Sequence, residues 1–116
     1  RMELKGYVTG KFYDSVMERE KATTTSIGNR VALPHGAMSE VNESHVAIAV
    51  LPEPIVWDDD RVDVIFLLGF KMSTHEEIRR IQSFYKQYIS LIETDEKVKI
   101  IRSKKSNLEL YRYLIQ

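Results

Sequence analysis

No cysteine occurs in this sequence, which excludes disulfide scaffolds, thiolate zinc sites and cysteine nucleophiles. Neither sign of charge is in excess: Lys+Arg and Asp+Glu each number 17, and the formal net charge is zero. The chain therefore lacks the basic surplus usual in nucleic-acid-binding domains, and direct nucleic-acid binding is not expected. Long hydrophobic runs are missing too. The longest, Val64 to Gly69, is far too short to cross a bilayer, so no membrane insertion is expected. The N-terminus runs straight into charged, amphipathic sequence and shows no signal peptide. Repeats and low-complexity stretches are absent. What remains is an ordinary globular composition, 43% hydrophobic and 29% charged, at a length of 116 residues that suits one domain. A cysteine-free domain of this kind fits a bacterial cytoplasm. The abrupt start at Arg1 leads us to expect a single domain over 1–116, excised from a longer chain.

Apolar periodicity divides the chain. Leu4, Val8, Phe12 and Val16 recur every four residues and predict a helix over 3–20, weakened at Gly6 and Gly10. The polar stretch Lys21 to Asn29 reads as a loop. Val31-Ala32-Leu33 reads as a brief strand stopped by Pro34. His45 to Leu51 is rich in β-formers and closes at Pro52 and Pro54. Ile55-Val56-Trp57 makes a short extended piece, and Asp58-Asp59-Asp60 a charged turn. Val62 to Phe70 is nearly continuous in apolar residues, the pattern of a central strand covered on both faces. The second half is helical. Ser73 and Glu76 form an expected capping box for a helix over 74–93, with Ile78, Ile81, Phe84, Tyr85, Tyr88, Ile89 and Ile92 on one face. Asp95 is expected to cap a short helix, and Ser106 with Glu109 a last one. The fold class that accommodates this order is α/β, a mixed β-sheet sandwiched between helices.

Chemistry concentrates at the three histidines. His35 sits between Pro34 and Gly36, on a turn after a buried strand and a hydroxyl-rich loop. A histidine there can act as a nucleophile and carry a covalent intermediate, or it can simply hold the turn through a backbone hydrogen bond. A phosphoryl group on it would need fixed donors and positive charge, with Arg19, Arg30 and the Thr/Ser hydroxyls as candidates. His75 opens the long helix, where the helix dipole favours a bound anion; it is either a second site residue or a solvent-exposed helix start. His45 opens a strand and reads as an edge residue without chemistry. No histidine pair has the i,i+3 or i,i+4 spacing of a metal site. Asp58, Asp59 and Asp60 lack the spacing, Gly and distal Glu of a calcium loop, so no metal is expected.

The stretch T-S-I-G-N-R-V-A-L-P-H-G, Thr25 to Gly36, resembles the active-site signature of the type-2 enzyme IIA domains. These belong to the phosphoenolpyruvate-dependent sugar phosphotransferase system, in its fructose/mannitol class. The likeness extends over nearly the whole chain. Glu18-Arg19-Glu20 is similar to the family's Arg-Glu pair at the end of the preceding helix. I-V-W-D followed by V-D-V-I-F-L-L is similar to its central strands, and His75 falls where the family has its second active-site histidine.

The resemblance implies a mixed sheet between helices and a histidine that takes a phosphoryl group from the phosphocarrier HPr and passes it to a sugar-specific enzyme IIB. It implies that His35 is the phosphorylated nucleophile, that His75 stabilises the phosphoryl group or the imidazole, and that Arg19 is an adaptable cation beside them. It implies no organic cofactor and no metal. Two departures stand out. Arg30 replaces the Gly usual in transport-type members, and Ser73-Thr74 before His75 with Glu76-Glu77 after it differ from their pattern. The tail, with F-Y-K-Q-Y-I-S-L-I and S-K-K-S-N-L-E-L, is more similar to the enzyme IIA-like domains at the C-terminus of PRD-containing transcriptional antiterminators and activators. The expectation is therefore a domain phosphorylated by HPr or a IIB domain that works on the regulatory domains of a parent transcription factor. The alternative is a transport enzyme IIA relaying phosphoryl groups from HPr to a fructose- or mannitol-class IIB. Whether the domain counts as an enzyme depends on which role it has.

Overall fold

The most apolar stretch becomes the centre of the sheet. The computed structural model describes residues 6–22 and 24–114, and in it β4 (Asp60–Gly69) is paired on both edges. β3 (His45–Trp57) runs antiparallel on one side and β2 (Val31–Ala32) parallel on the other, with β1 (Ser26–Gly28) outside β2, giving the order β1-β2-β4-β3. Side chains alternate across β4. Val64, Phe66 and Leu68 are buried in the main core with Ile81 and Ile92 of α2 (His75–Ile92) and Val98 and Ile101 of α3 (Asp95–Arg102). Leu110 and Tyr113 of α4 (Asn107–Leu114) pack against the same cluster. Leu67, on the other face, joins a smaller cluster of Val8, Phe12, Val16 and Val41 beneath α1 (Phe12–Ala22). The expected mixed sheet between helices is the observed architecture.

Several boundaries differ from the sequence reading, each for a local reason. The first helix begins at Phe12 and not at residue 3. Gly6 adopts φ +76, a left-handed turn, and Val8 spends its backbone on a bridge to Val41. Thr9 and Tyr7 likewise bond residues 40, 42 and 43. Leu4, part of the predicted stripe, lies outside the described residues. The loop expected over 21–29 contains β1, which pairs with β2 through a turn at Asn29 and Arg30. Both turn residues have positive φ, +53 and +61, as the twist of a two-residue hairpin requires. For an arginine this conformation costs about 1 kcal/mol that glycine would avoid.

β3 does not stop at Pro52. It continues to Trp57 through a bulge: between the pairs Val50↔Val64 and Ile55↔Val62, the four residues 51–54 face the single residue Asp63. Both prolines fall inside this bulge, where no ladder N–H is needed. Asp60 belongs to β4, paired with Trp57, so the hairpin turn is Asp58-Asp59 alone. The helix caps are shifted as well. Thr74, not Ser73, caps α2, and Glu77, not Glu76, closes the box. Thr94, not Asp95, caps α3. A threonine one residue away offers the same hydroxyl geometry, and sequence spacing alone cannot choose between neighbours. For α4, Ser106 does accept the Glu109 N–H, while the Glu109 carboxylate reaches the Lys105 N–H and not that of Ser106.

Candidate functional site at the carboxyl end of the parallel strands

His35 lies just beyond the end of β2, where the chain still runs beside β4. It forms a parallel bridge with Leu68, and the Leu68 N–H donates to the Pro34 carbonyl at 2.8 Å. Crevices outside the carboxyl ends of parallel strands are the usual ligand positions of α/β sheets. The imidazole is half-buried. Its Nδ1 stands 3.3 Å from the Leu33 carbonyl oxygen. That oxygen can only accept, so the tautomer that satisfies the contact carries its proton on Nδ1 and the free lone pair on Nε2.

The turn that carries His35 is pinned by α1. Ser15 Oγ accepts the Ala37 N–H at 3.0 Å and donates to the Phe12 carbonyl at 2.7 Å. Gly36 fits because it has no side chain: a Cβ there would stand 2.6 Å from Ser15 Oγ and 2.7 Å from the Phe12 ring. Arg19 is one helical turn beyond Ser15 on the same face of α1, and it is half-buried. His75 is the first residue of α2 and exposed. It follows β4 after the short connection 70–74, so it stands at the same end of the sheet as His35. Among the described residues no hydrogen bond joins the two histidines. The structure thus sets His35 and His75 at one end of the sheet, with Arg19 farther along α1.

The other candidate donors are placed elsewhere. Arg30 lies at the far end of β2 from His35, with its Nε 3.5 Å from Asp63. The expectation of a second cation near the histidine is therefore corrected: the four residues Val31 to Pro34 of extended chain separate the two. The described hydroxyls of the loop, Thr24, Thr25 and Ser26, are engaged within the protein. Thr25 is buried and bonds Glu20 through both its N–H and its hydroxyl. Ser26 donates to Asp60 at 2.8 Å. His45 pairs with Gly69 and stacks on Tyr7, with ring centroids 4.0 Å apart.

Sequence reasoning missed the part played by Glu20. Its carboxylate takes the Thr25 N–H at 3.2 Å and the Trp57 Nε1–H at 3.1 Å. It ties the end of α1 to the start of β1 and the end of β3. The partner Trp57 is 37 residues away, and no local pattern announces such a contact. No group of His, Asp and Glu able to hold a metal ion is present among the described residues. No helix among them is long and apolar enough to cross a membrane.

Residues 1–116 match the family described as "Phosphoenolpyruvate-dependent sugar phosphotransferase system, EIIA 2". The transcriptional regulator ManR of Bacillus subtilis is 36% identical over 86 residues, covering 74% of this chain and 12% of the regulator. The mannitol-specific phosphotransferase enzyme IIA component of Halalkalibacterium halodurans is 36% identical over 77 residues, covering 64% of this chain and 53% of that protein. The chain thus spans about half of one relative and a small part of the other. In the solved complex of enzyme IIAMTL and phosphorylated enzyme IIBMTL from Escherichia coli, a matching chain aligns with a TM-score of 0.70 at 23% identity. The alignment covers 98% of this chain and 79% of that one.

Proposed function

The chain belongs to the EIIA 2 family of the phosphoenolpyruvate-dependent sugar phosphotransferase system, and we propose on that premise that His35 is its phosphoryl acceptor and that the domain reports phosphorylation state within a transcriptional regulator. The observation that carries the assignment is the Nδ1 contact with the Leu33 carbonyl, 3.3 Å long. It presents Nε2 as the nucleophile and keeps the other nitrogen protonated.

In the proposed step, the Nε2 lone pair attacks phosphorus on the donor protein. A new P–N bond forms, the donor's bond to phosphorus breaks, and the leaving atom keeps its electron pair. The Nδ1–H remains on the Leu33 carbonyl, where it steadies the positive charge that the ring gains. Arg19 and the start of α2 with His75 supply the charge and donors that the phosphoryl oxygens need. The proposed donors are HPr or an enzyme IIB; the IIA domain of the Escherichia coli complex meets a phosphorylated IIB. A phosphoryl group brings about −1.5 to −2 charge at neutral pH, judged by phosphoserine. Placed at the edge of α1 and α2, that charge changes how the domain packs on its neighbours. The likeness to ManR favours the regulatory setting over 1–116 as one domain of a longer cytoplasmic protein.

The likeness to a stand-alone mannitol enzyme IIA supports a second reading, a relay that hands the group on to a IIB domain. Intact-mass analysis after incubation with phosphoenolpyruvate, enzyme I and HPr tests the acceptor role. We expect one acid-labile phosphoryl adduct on the wild type and none on His35→Ala. An adduct of unchanged stoichiometry on that variant overturns the assignment. Rapid transfer from the charged domain to a mannitol-class IIB would select the relay.

A further inference from the structure

Toward the end of the sheet away from His35, the β3 bulge opens a cavity. It has a volume of about 650 Å³ and lies between the bulge, the β1–β2 turn and the connection from α3 to α4. Four cationic side chains line it: Arg30, Arg102, Lys104 and Lys105. Asp63 is the one carboxylate in the lining, and it is already neutralised. It is buried, with both oxygens on Arg102 Nε at 2.8 and 3.0 Å and a third contact from Arg30. Asp95 and Glu109 stand outside the lining, engaged with Lys99 and Arg102 and with the Lys105 N–H. The cavity therefore keeps an excess of positive charge that no carboxylate in its lining balances.

Three of the four cations have partners that orient them. Arg102 Nη2 donates to the Asn29 carbonyl at 2.5 Å, and its buried Nη1 has no hydrogen-bond partner among the described residues but stands 3.5 Å from Asp95 Oδ1. Lys104 Nζ lies 4.9 Å over the Tyr113 ring. Arg30 keeps a left-handed backbone, φ +61, that aims its side chain from the turn. α4 also begins at this wall, with Ser106 and Asn107 in the lining. Asp63 and Asp95 offset Arg30 and Arg102, while Lys104 and Lys105 have no carboxylate partner among the described residues, so the positive potential of this wall favours an anion. The volume exceeds what a bare phosphate needs and suits a small organic molecule.

We propose that this cavity binds a small phosphate-bearing molecule, a phosphomonoester with an organic portion, independently of phosphorylation at His35. The two sites are distinct: Asp63 and the His35 partner Leu68 are five residues apart on β4, roughly 16 Å at strand spacing.

The test is an NMR titration of the domain with glucose 6-phosphate, inorganic phosphate and free glucose, each at matched ionic strength. The expected result is saturable binding of glucose 6-phosphate, weaker binding of inorganic phosphate and none of glucose. Amide shifts should centre on residues 29–30, 50–54 and 102–108. Lys104→Ala/Lys105→Ala should weaken the affinity at least about tenfold, and Arg30→Gly should weaken it without loss of fold, since glycine suits that backbone. His35→Ala should bind as the wild type does. Absence of saturable shifts, shifts centred on His35, or equal binding of glucose 6-phosphate and inorganic phosphate would each overturn the proposal. So would an affinity that the lysine variant leaves unchanged while its spectrum remains folded.

Discussion

A single missing side chain decides how closely α1 approaches the histidine turn. Gly36 has an ordinary backbone; its requirement is space, because a Cβ would stand 2.6 Å from Ser15 Oγ. Gly36→Ala must push either the turn or the first turn of α1 outward. We expect it to destabilise the domain by about 1–3 kcal/mol, as overpacking does, and to slow phosphorylation because His35 moves with its neighbour. Urea unfolding followed by the fluorescence of Trp57, the only tryptophan, measures the first effect; unchanged stability would show that the turn is loosely held. His75 acts from an exposed helix start, so His75→Ala should lower the phosphorylation rate or the lifetime of the adduct while acceptance persists. Identical rates and lifetimes would remove His75 from the site. The reach of the sequence is plain at this scale. Pro34-His35-Gly36 announced a constrained histidine, but the Leu33 contact that chooses its tautomer depends on how the turn is folded. The Glu20 contact with Trp57 depends on the tertiary structure altogether.

At the level of elements, the helices of the second half were legible because each carries an apolar face at helical spacing and a hydroxyl at its start. The strands were less so. β1 is a three-residue edge strand whose Ser-Ile-Gly sequence has no strand signal of its own and gains order by pairing with β2. β3 passes two prolines because a bulge, created jointly with β4, relieves them of ladder bonds. The start of α1 was misplaced because the apolar spacing of Val8 and Phe12 suits a helix equally well, while the Gly6 turn and the Val41 bridge are non-local.

The α2 cap supports a prediction in pH. Hydrogen bonding from the Ser73 hydroxyl, at 2.8 Å, holds the Glu77 carboxyl below its ordinary value of 4.5, with desolvation acting against it and the Ser73 N–H, Thr74 and Lys71 assisting. A carboxyl lowered by folding stabilises the native state fully above its unfolded value and loses that effect as the pH falls through the folded one. The start of α2 should therefore fray as the pH drops below about 4.5. Glu77→Gln should flatten that part of the acid dependence, as read from amide exchange at residues 75–78. Equal acid profiles in the two proteins would mean that the box contributes nothing to the helix start.

Across the whole molecule, one buried ion pair links parts that are far apart in sequence. Asp63 of β4 holds Arg102 of α3, and Arg102 in turn holds the Asn29 carbonyl of the β1–β2 turn. Removing the cation alone leaves a buried carboxylate with only the half-exposed Arg30, 3.5 Å away, so Arg102→Met should cost about 3 kcal/mol, whereas replacing both partners with apolar residues should recover most of it. Thermal unfolding of the single and double variants decides this, and a double variant as unstable as Arg102→Met would contradict it. The same arrangement sets the two ends of the domain apart. The carboxyl end of the parallel strands carries His35, and the opposite end carries the basic cavity.

The most direct test of the account is a nitrogen–proton NMR spectrum of the histidine rings in the phosphorylated protein. The account predicts one phosphohistidine, at His35, with phosphorus on Nε2 and the proton retained on Nδ1. Phosphorus on Nδ1, or on His45 or His75, would contradict it.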